Sequence, residues 1–142
     1  MLRSTLAVVL GFIAVTLLGY AGQQLFAVIL PEQAMPGTSL VTVAGLMVLA
    51  FEALCNVAGG VVTGMVAPRR PVKHAAVLGA IETLLVLWLS ASLLEHSPGW
   101  LAVALIVVTL PATVYGGRLA ERFRPVADVM PEGPPALIRR EF

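Results

Sequence analysis

Four long apolar stretches, at about 5–30, 40–66, 75–94 and 100–115, leave this chain few ways to fold. With its flanks, each is near or above the roughly 20 residues that a helix needs to cross about 30 Å of hydrocarbon. Lipid offers no partner to an unpaired backbone group, so such stretches must be helices. Composition agrees: 58% of the 142 residues are hydrophobic and 12% charged, where a soluble domain carries about 25% charged residues. Mean hydropathy is +0.93, and a domain this small has too little interior to hide so many apolar side chains. The expected fold is all-α, an integral membrane four-helix bundle. Its helices are expected at about 4–30, 39–66, 73–94 and 99–118 within a domain covering 1–124.

The separators are turn-rich and polar: Pro31-Glu32-Gln33-Ala34-Met35-Pro36-Gly37, Ala67-Pro68-Arg69-Arg70-Pro71, and Glu95-His96-Ser97-Pro98-Gly99. Beyond Arg124 the chain is Pro-rich and polar, and 125–142 reads as a disordered tail. All nine basic residues fall at Arg3, in the second separator and its flank (Arg69, Arg70, Lys73), or after the fourth helix (Arg118, Arg122, Arg124, Arg139, Arg140). None lies at 31–39 or 95–99. By the positive-inside rule both termini and the 67–73 loop face the cytoplasm, and the expected location is a bacterial inner membrane. Trp88 and Trp100 suit interfacial anchors at the opposite face. A cleaved secretory signal is the rival reading of the start, given Arg3 and Gly19-Tyr20-Ala21, but the apolar run continues to Leu30, longer than a signal needs.

The second helix carries the most information. At 100° per residue Gly45, Glu52, Asn56, Gly59 and Thr63 share a narrow arc, with Gly60 and Gly64 near its edge. Thr109, Thr113, Gly116 and Gly117 form a similar stripe on the fourth helix, and Thr16, Gly19, Tyr20 and Gln23 cluster on the first. Small residues allow close helix approach in lipid, so Gly45, Gly59, Gly60, Gly64, Gly116 and Gly117 are expected packing positions. Pro111 cannot donate to the Val107 carbonyl, and Thr109 or Thr113 is expected to compensate.

Two carboxyls lie within the apolar stretches. A charge at the bilayer centre costs about 2.5–3.5 kcal/mol on insertion scales, and ionisable residues there are candidate functional groups. Counting from the shared basic loop at 1.5 Å per residue, Glu52 lies roughly 22 Å in, and Glu82 and Asn56 roughly 14–16 Å. A polar cluster of Glu52, Asn56 and Glu82 follows, with Tyr20 and Thr109 at compatible depths. It reads either as a protonatable site or as interhelical hydrogen bonds. Cys55 is the single cysteine, which excludes an intrachain disulfide, and in an apolar run it reads as a small buried side chain. The two histidines, His74 and His96, lie at opposite ends of a helix, so no metal or other cofactor is expected; His74 reads as a local cap or headgroup contact. The pairs Arg69-Arg70 and Arg139-Arg140 serve as topology signals and attract anionic lipid.

The halves look alike: each is a helix, an outer loop and a second helix that nears its end through a glycine pair and an Arg/Pro segment. This suggests a duplicated helical hairpin. The chain also resembles a widespread group of small, uncharacterised bacterial four-helix membrane proteins. The resemblance rests on Gly59-Gly60, Ala67-Pro68-Arg69-Arg70-Pro71, His74-Ala75, Pro98-Gly99-Trp100 and Pro111 with Gly116-Gly117. It covers all but the tail and departs at Val61, where an aromatic residue is common. It implies topology and no activity.

No Gly-x-Ser-x-Gly, His-Glu-x-x-His, aspartyl pair, Cys/His arrangement or P-loop is present, so no enzyme is expected. Basic residues scattered over short loops do not suit nucleic acid. The expected partners are the lipid bilayer and either another membrane protein or further copies of this chain. From sequence alone a structural or accessory membrane protein is favoured, with a small proton-coupled transporter or channel using Glu52 and Glu82 as the alternative.

Overall fold

The computed structural model describes residues 2–29, 39–96 and 99–123, and these are helical except for the turn at 67–70. The helices are α1 (Leu2–Ile29), α2 (Ser39–Val66), α3 (Pro71–His96) and α4 (Gly99–Phe123). All four are long and apolar enough to cross a membrane. Bulky apolar side chains such as Leu54, Leu84 and Val107 are exposed along their lengths, as expected where the surrounding solvent is lipid. The fold is an all-helical membrane bundle of four helices. The segments at 30–38 and 124–142, with the expected disordered tail, lie outside the described residues.

α2 and α4 pack most closely of all pairs, α3 lies against α4, and α1 lies against α2. Among the described residues α1 barely touches α3 and does not touch α4. The contacts fix the directions. Gly45 meets Trp100, Gly60 meets Gly116 and Gly64 meets Ala120, so α2 and α4 run parallel. Gly11 meets Thr63 and Gly22 meets Phe51, so α1 runs antiparallel to α2. The two hairpins therefore join through their second helices.

The closest approach of backbone to backbone is the α2–α4 crossing. A Cβ added at Gly60 would run into the Thr113 carbonyl oxygen and stand 3.1 Å from the Gly116 Cα. One added at Gly116 would run into the Val57 carbonyl oxygen and stand 3.0 Å from the Gly60 Cα. Backbone touches backbone there, which only glycine permits. Gly64 lies 3.4 Å from Gly117 by the same measure, Gly117 backs onto Ala75 of α3, and Gly59 backs onto Val15 of α1.

The glycine pairs lie inside their helices and not at the ends. α2 continues to Val66, and α4 runs to Phe123 where 118 was expected. Helical backbone in lipid keeps its hydrogen bonds through a glycine, and Ala120, fully buried, still packs on Gly64. α3 starts at Pro71 where 73 was expected. Proline suits a first helical position, and the Arg70 carbonyl before it accepts from Lys73 N at 3.0 Å and lies 3.2 Å from His74 Nδ1. Arg70 itself takes a left-handed backbone, φ 52°. The turn closes on the α2 side with Ala67 N donating to the Thr63 carbonyl at 2.9 Å.

Candidate functional site: an acidic cavity between the helices

Between the four helices lies a partly open cavity of about 880 Å³. All four contribute to its wall, from Phe12 and Asn56 at the deep end to Ala27, Val48 and Leu101 at the other. Its depth follows from helix geometry. Glu82 lies 11 residues along α3 from Pro71 and Glu52 lies 14 residues back along α2 from Val66, about 16 and 21 Å from the 67–70 turn. Its lining runs from Phe12, Asn56 and Thr109 on the side nearer that turn to Ala27, Val48 and Leu101 on the far side.

Glu52, Asn56 and Glu82 all line this cavity, with Thr109. Tyr20 does not join them: it points outward and is 63% exposed, because the face of α1 that meets α2 is set by Gly11, Val15, Gly19 and Gly22. Thr16 and Gln23, from the same expected α1 cluster, do reach the cavity wall. Glu82 is 6% and Asn56 5% exposed; Glu52 is half-buried.

The hydrogen bonds show how the cluster is held. Asn56 Nδ2 donates to the Glu52 carbonyl one turn earlier at 2.8 Å, which leaves Asn56 Oδ1 buried without a partner. Thr113 Oγ1 bonds Glu82 Oε2 at 3.2 Å and the Thr109 carbonyl at 2.8 Å. Glu82 Oε1 is buried and unpartnered. Such groups are rare and costly in a folded interior, so each calls for a cause. The hydroxyls do not compensate Pro111 as the sequence suggested. Thr109 Oγ1 bonds the Leu105 carbonyl and Thr113 Oγ1 the Thr109 carbonyl, each reaching back one turn to its own i−4 carbonyl and not to Val107.

The rest of the wall is apolar, with the aromatic rings of Phe12, Phe26 and Phe51 on the α1–α2 side. Phe26 and Phe51 meet edge to face with centroids 5.4 Å apart. Among the lining residues are two carboxyls and no Lys, Arg or His. Cys55 is buried on α2, and His74 sits by the 67–70 turn, in contact with the Arg70 carbonyl. Among the described residues no three His, Cys, Asp or Glu side chains gather as a metal site.

Sequence reading missed Thr113 as a partner of Glu82, and it missed the three phenylalanines. Thr113 was legible only as one of a small-residue stripe. The phenylalanines carried no signal, since any face of these helices is apolar. No protein-family model, curated protein or solved structure matches this chain.

Proposed function

We propose that this protein is a small, non-enzymatic carrier of a bacterial inner membrane that exchanges protons at Glu52 and Glu82. The supporting observation is that both carboxyls line one partly open cavity to which all four helices contribute. A purely structural pair of glutamates would sit packed against hydrogen-bond donors; here Glu82 Oε1 has none. Sequence alone favoured an accessory role, and the cavity shifts the preference to the carrier. The basic residues favour both termini and the 67–70 turn in the cytoplasm.

The accessory reading keeps one observation of its own. Leu85, Val86, Leu89 and Leu105 give the cavity an apolar wall that a partner helix would also fit. The two separate by infrared titration in lipid, following the carboxyl stretch of wild type, Glu52→Gln and Glu82→Gln from about pH 5 to 9, the range that brackets buried carboxyls. A carrier shows a carboxyl band that is lost reversibly within that range and absent from a Gln variant. Bands that never move remove the carrier reading. Orientation is tested by replacing buried Cys55 with Ala and introducing single cysteines at Pro68 or Ser97. A membrane-impermeant thiol reagent added to whole cells should label only the second.

A further inference from the structure

We propose that the cavity binds a monovalent lipophilic cation and releases one proton from the Glu52–Glu82 pair as it does so. This deepens the carrier reading and rests on the same site.

Charge comes first. The groups facing the cavity are Glu52 and Asn56 from α2, Glu82 from α3, Thr16 and Gln23 from α1, and Thr109 from α4. Cys55, one turn from Glu52, is the nearest other titratable side chain on α2. Two acids thus face the cavity and no base does. An unpaired carboxylate in a medium of low polarity is strongly disfavoured. Each must be neutralised, by its own proton or by a cation that enters.

Hydrogen bonding makes the empty state specific. A threonine hydroxyl has one proton to donate, yet Thr113 Oγ1 lies within bonding distance of both Glu82 Oε2 and the Thr109 carbonyl. Both contacts are satisfied together when Glu82 is protonated, donating from Oε2 to Thr113 Oγ1, which in turn donates to the Thr109 carbonyl. When Glu82 ionises, its O–H bond breaks and the proton leaves to water. The electron pair stays on the carboxylate, and Thr113 turns its hydroxyl to Oε2. The cation replaces the lost positive charge, so the cavity's net charge is unchanged.

Shape then selects the cation. Glu82 Oε1 and Asn56 Oδ1 are buried acceptors without partners, on cavity-lining residues more than nine-tenths buried. Among the described residues no three His, Cys, Asp or Glu side chains gather to hold a metal ion, and most of the wall is three phenylalanines and aliphatic side chains. A volume of about 880 Å³ falls in the range of roughly 300–1,000 Å³ typical of organic ligands. Aromatic faces favour a diffuse positive charge. A bulky organic cation fits these largely apolar, aromatic walls.

The test is calorimetric titration of tetraphenylphosphonium into the full chain in lipid nanodiscs, with empty nanodiscs as the blank. It is run at pH 6, 7 and 8 in two buffers of different ionisation enthalpy. The expected result is about one proton released per cation, hence affinity rising roughly tenfold per pH unit below the carboxyl's titration. Neutral triphenylphosphine oxide should bind at least about a hundredfold more weakly. Glu82→Gln should abolish the proton release and the pH dependence, while Glu52→Gln weakens binding roughly tenfold and keeps the release. Should Glu82→Gln not fold, loss of the protonated-carboxyl infrared band when cation is added to wild type reads the same proton. Binding without proton release, or no binding above the blank, overturns the proposal. Uptake driven by a pH gradient in proteoliposomes then separates the two claims. Binding with proton release but no uptake leaves this inference and removes the carrier. Proton flux without cation binding does the reverse.

Discussion

Replacing Gly60 by alanine tests whether the α2–α4 crossing organises the bundle. The new Cβ would stand 3.0 Å from the Thr113 carbonyl carbon, where ordinary contact begins at 3.4 Å, and closer still to that carbonyl's oxygen. Neither obstructing atom belongs to a side chain that can swing away. The helices must part by roughly 0.5–1 Å, a gap that forfeits about a quarter to a half of the dispersion well across the interface. Overpacking of this kind costs typically about 1–3 kcal/mol, and two backbone obstacles argue for the upper end. Alanine returns about 1 kcal/mol through helix propensity. The net loss is about 2 kcal/mol, roughly a thirtyfold shift in the folding equilibrium. Gly19→Ala is the matched control, since its Cβ would meet Glu52 Oε1 at an ordinary 3.7 Å. It should gain up to about 1 kcal/mol. Reversible unfolding in mixed micelles, followed by circular dichroism, measures both. A Gly60→Ala protein within about 0.5 kcal/mol of Gly19→Ala, the scatter of neutral substitutions, would refute the reasoning.

Other expectations follow from single groups. Gly60→Ala combined with Gly116→Ala should cost less than the sum of the two, because helices already parted admit the second methyl; the same unfolding assay gives the coupling. Thr63→Val should be neutral or stabilising by up to about 1 kcal/mol in thermal unfolding, since Thr63 is fully buried and its hydroxyl has no partner. Thr113→Val removes the hydroxyl beside Glu82 and should cost about 1–2 kcal/mol while moving the Glu82 carboxyl stretch in the infrared; a stationary band would remove Thr113 from the proton site. Arg70→Asn and Arg70→Thr lose the same charge, but asparagine tolerates φ 52° and a β-branched residue does not, so the threonine variant should be about 1 kcal/mol less stable.

The four helices were legible because lipid leaves an apolar stretch of this length one backbone solution. The turn at 67–70 was legible from its prolines and arginines. Partner choice was not. On α2 the arc holding Gly59 and Thr63 turns to α1, where Gly11 and Val15 sit, while Gly60 and Gly64, placed at the arc's edge, make the closest approach to α4. Hydrophobic patterning cannot separate these faces, since in lipid both are apolar. A finer signal existed: Gly60-Val61-Val62-Thr63-Gly64 and Gly116-Gly117-Arg118-Leu119-Ala120 each place small residues four apart, the spacing that lets helices touch along one ridge. The shared depth of Glu82 and Asn56 could be counted from the loop, but the cavity between them could not. It is bounded by side chains from all four helices, which is a property of no single residue.

The crossing and the cavity are mechanically one feature. Thr113 supplies the carbonyl that Gly60 packs against and the hydroxyl that bonds Glu82. In the proposed proton exchange, a change in how Glu82 is protonated turns the Thr113 hydroxyl between Glu82 and the Thr109 carbonyl, two residues before Pro111, whose missing N–H leaves the Val107 carbonyl without its helical donor. Conversely, parting α2 from α4 moves Thr113 relative to α3 and stretches a bond already at 3.2 Å. Gly60→Ala should therefore alter the infrared signature of Glu82 although the two side chains share no contact. Gly59→Ala, which obstructs α1 through Val15 and the Gly11 carbonyl, should destabilise the bundle and leave that signature in place. If both glycine variants shifted the carboxyl band alike, the coupling would run through general loosening of the bundle. A shift confined to Gly60→Ala places it in the Thr113 backbone, where one residue serves both the glycine crossing and the acidic cavity.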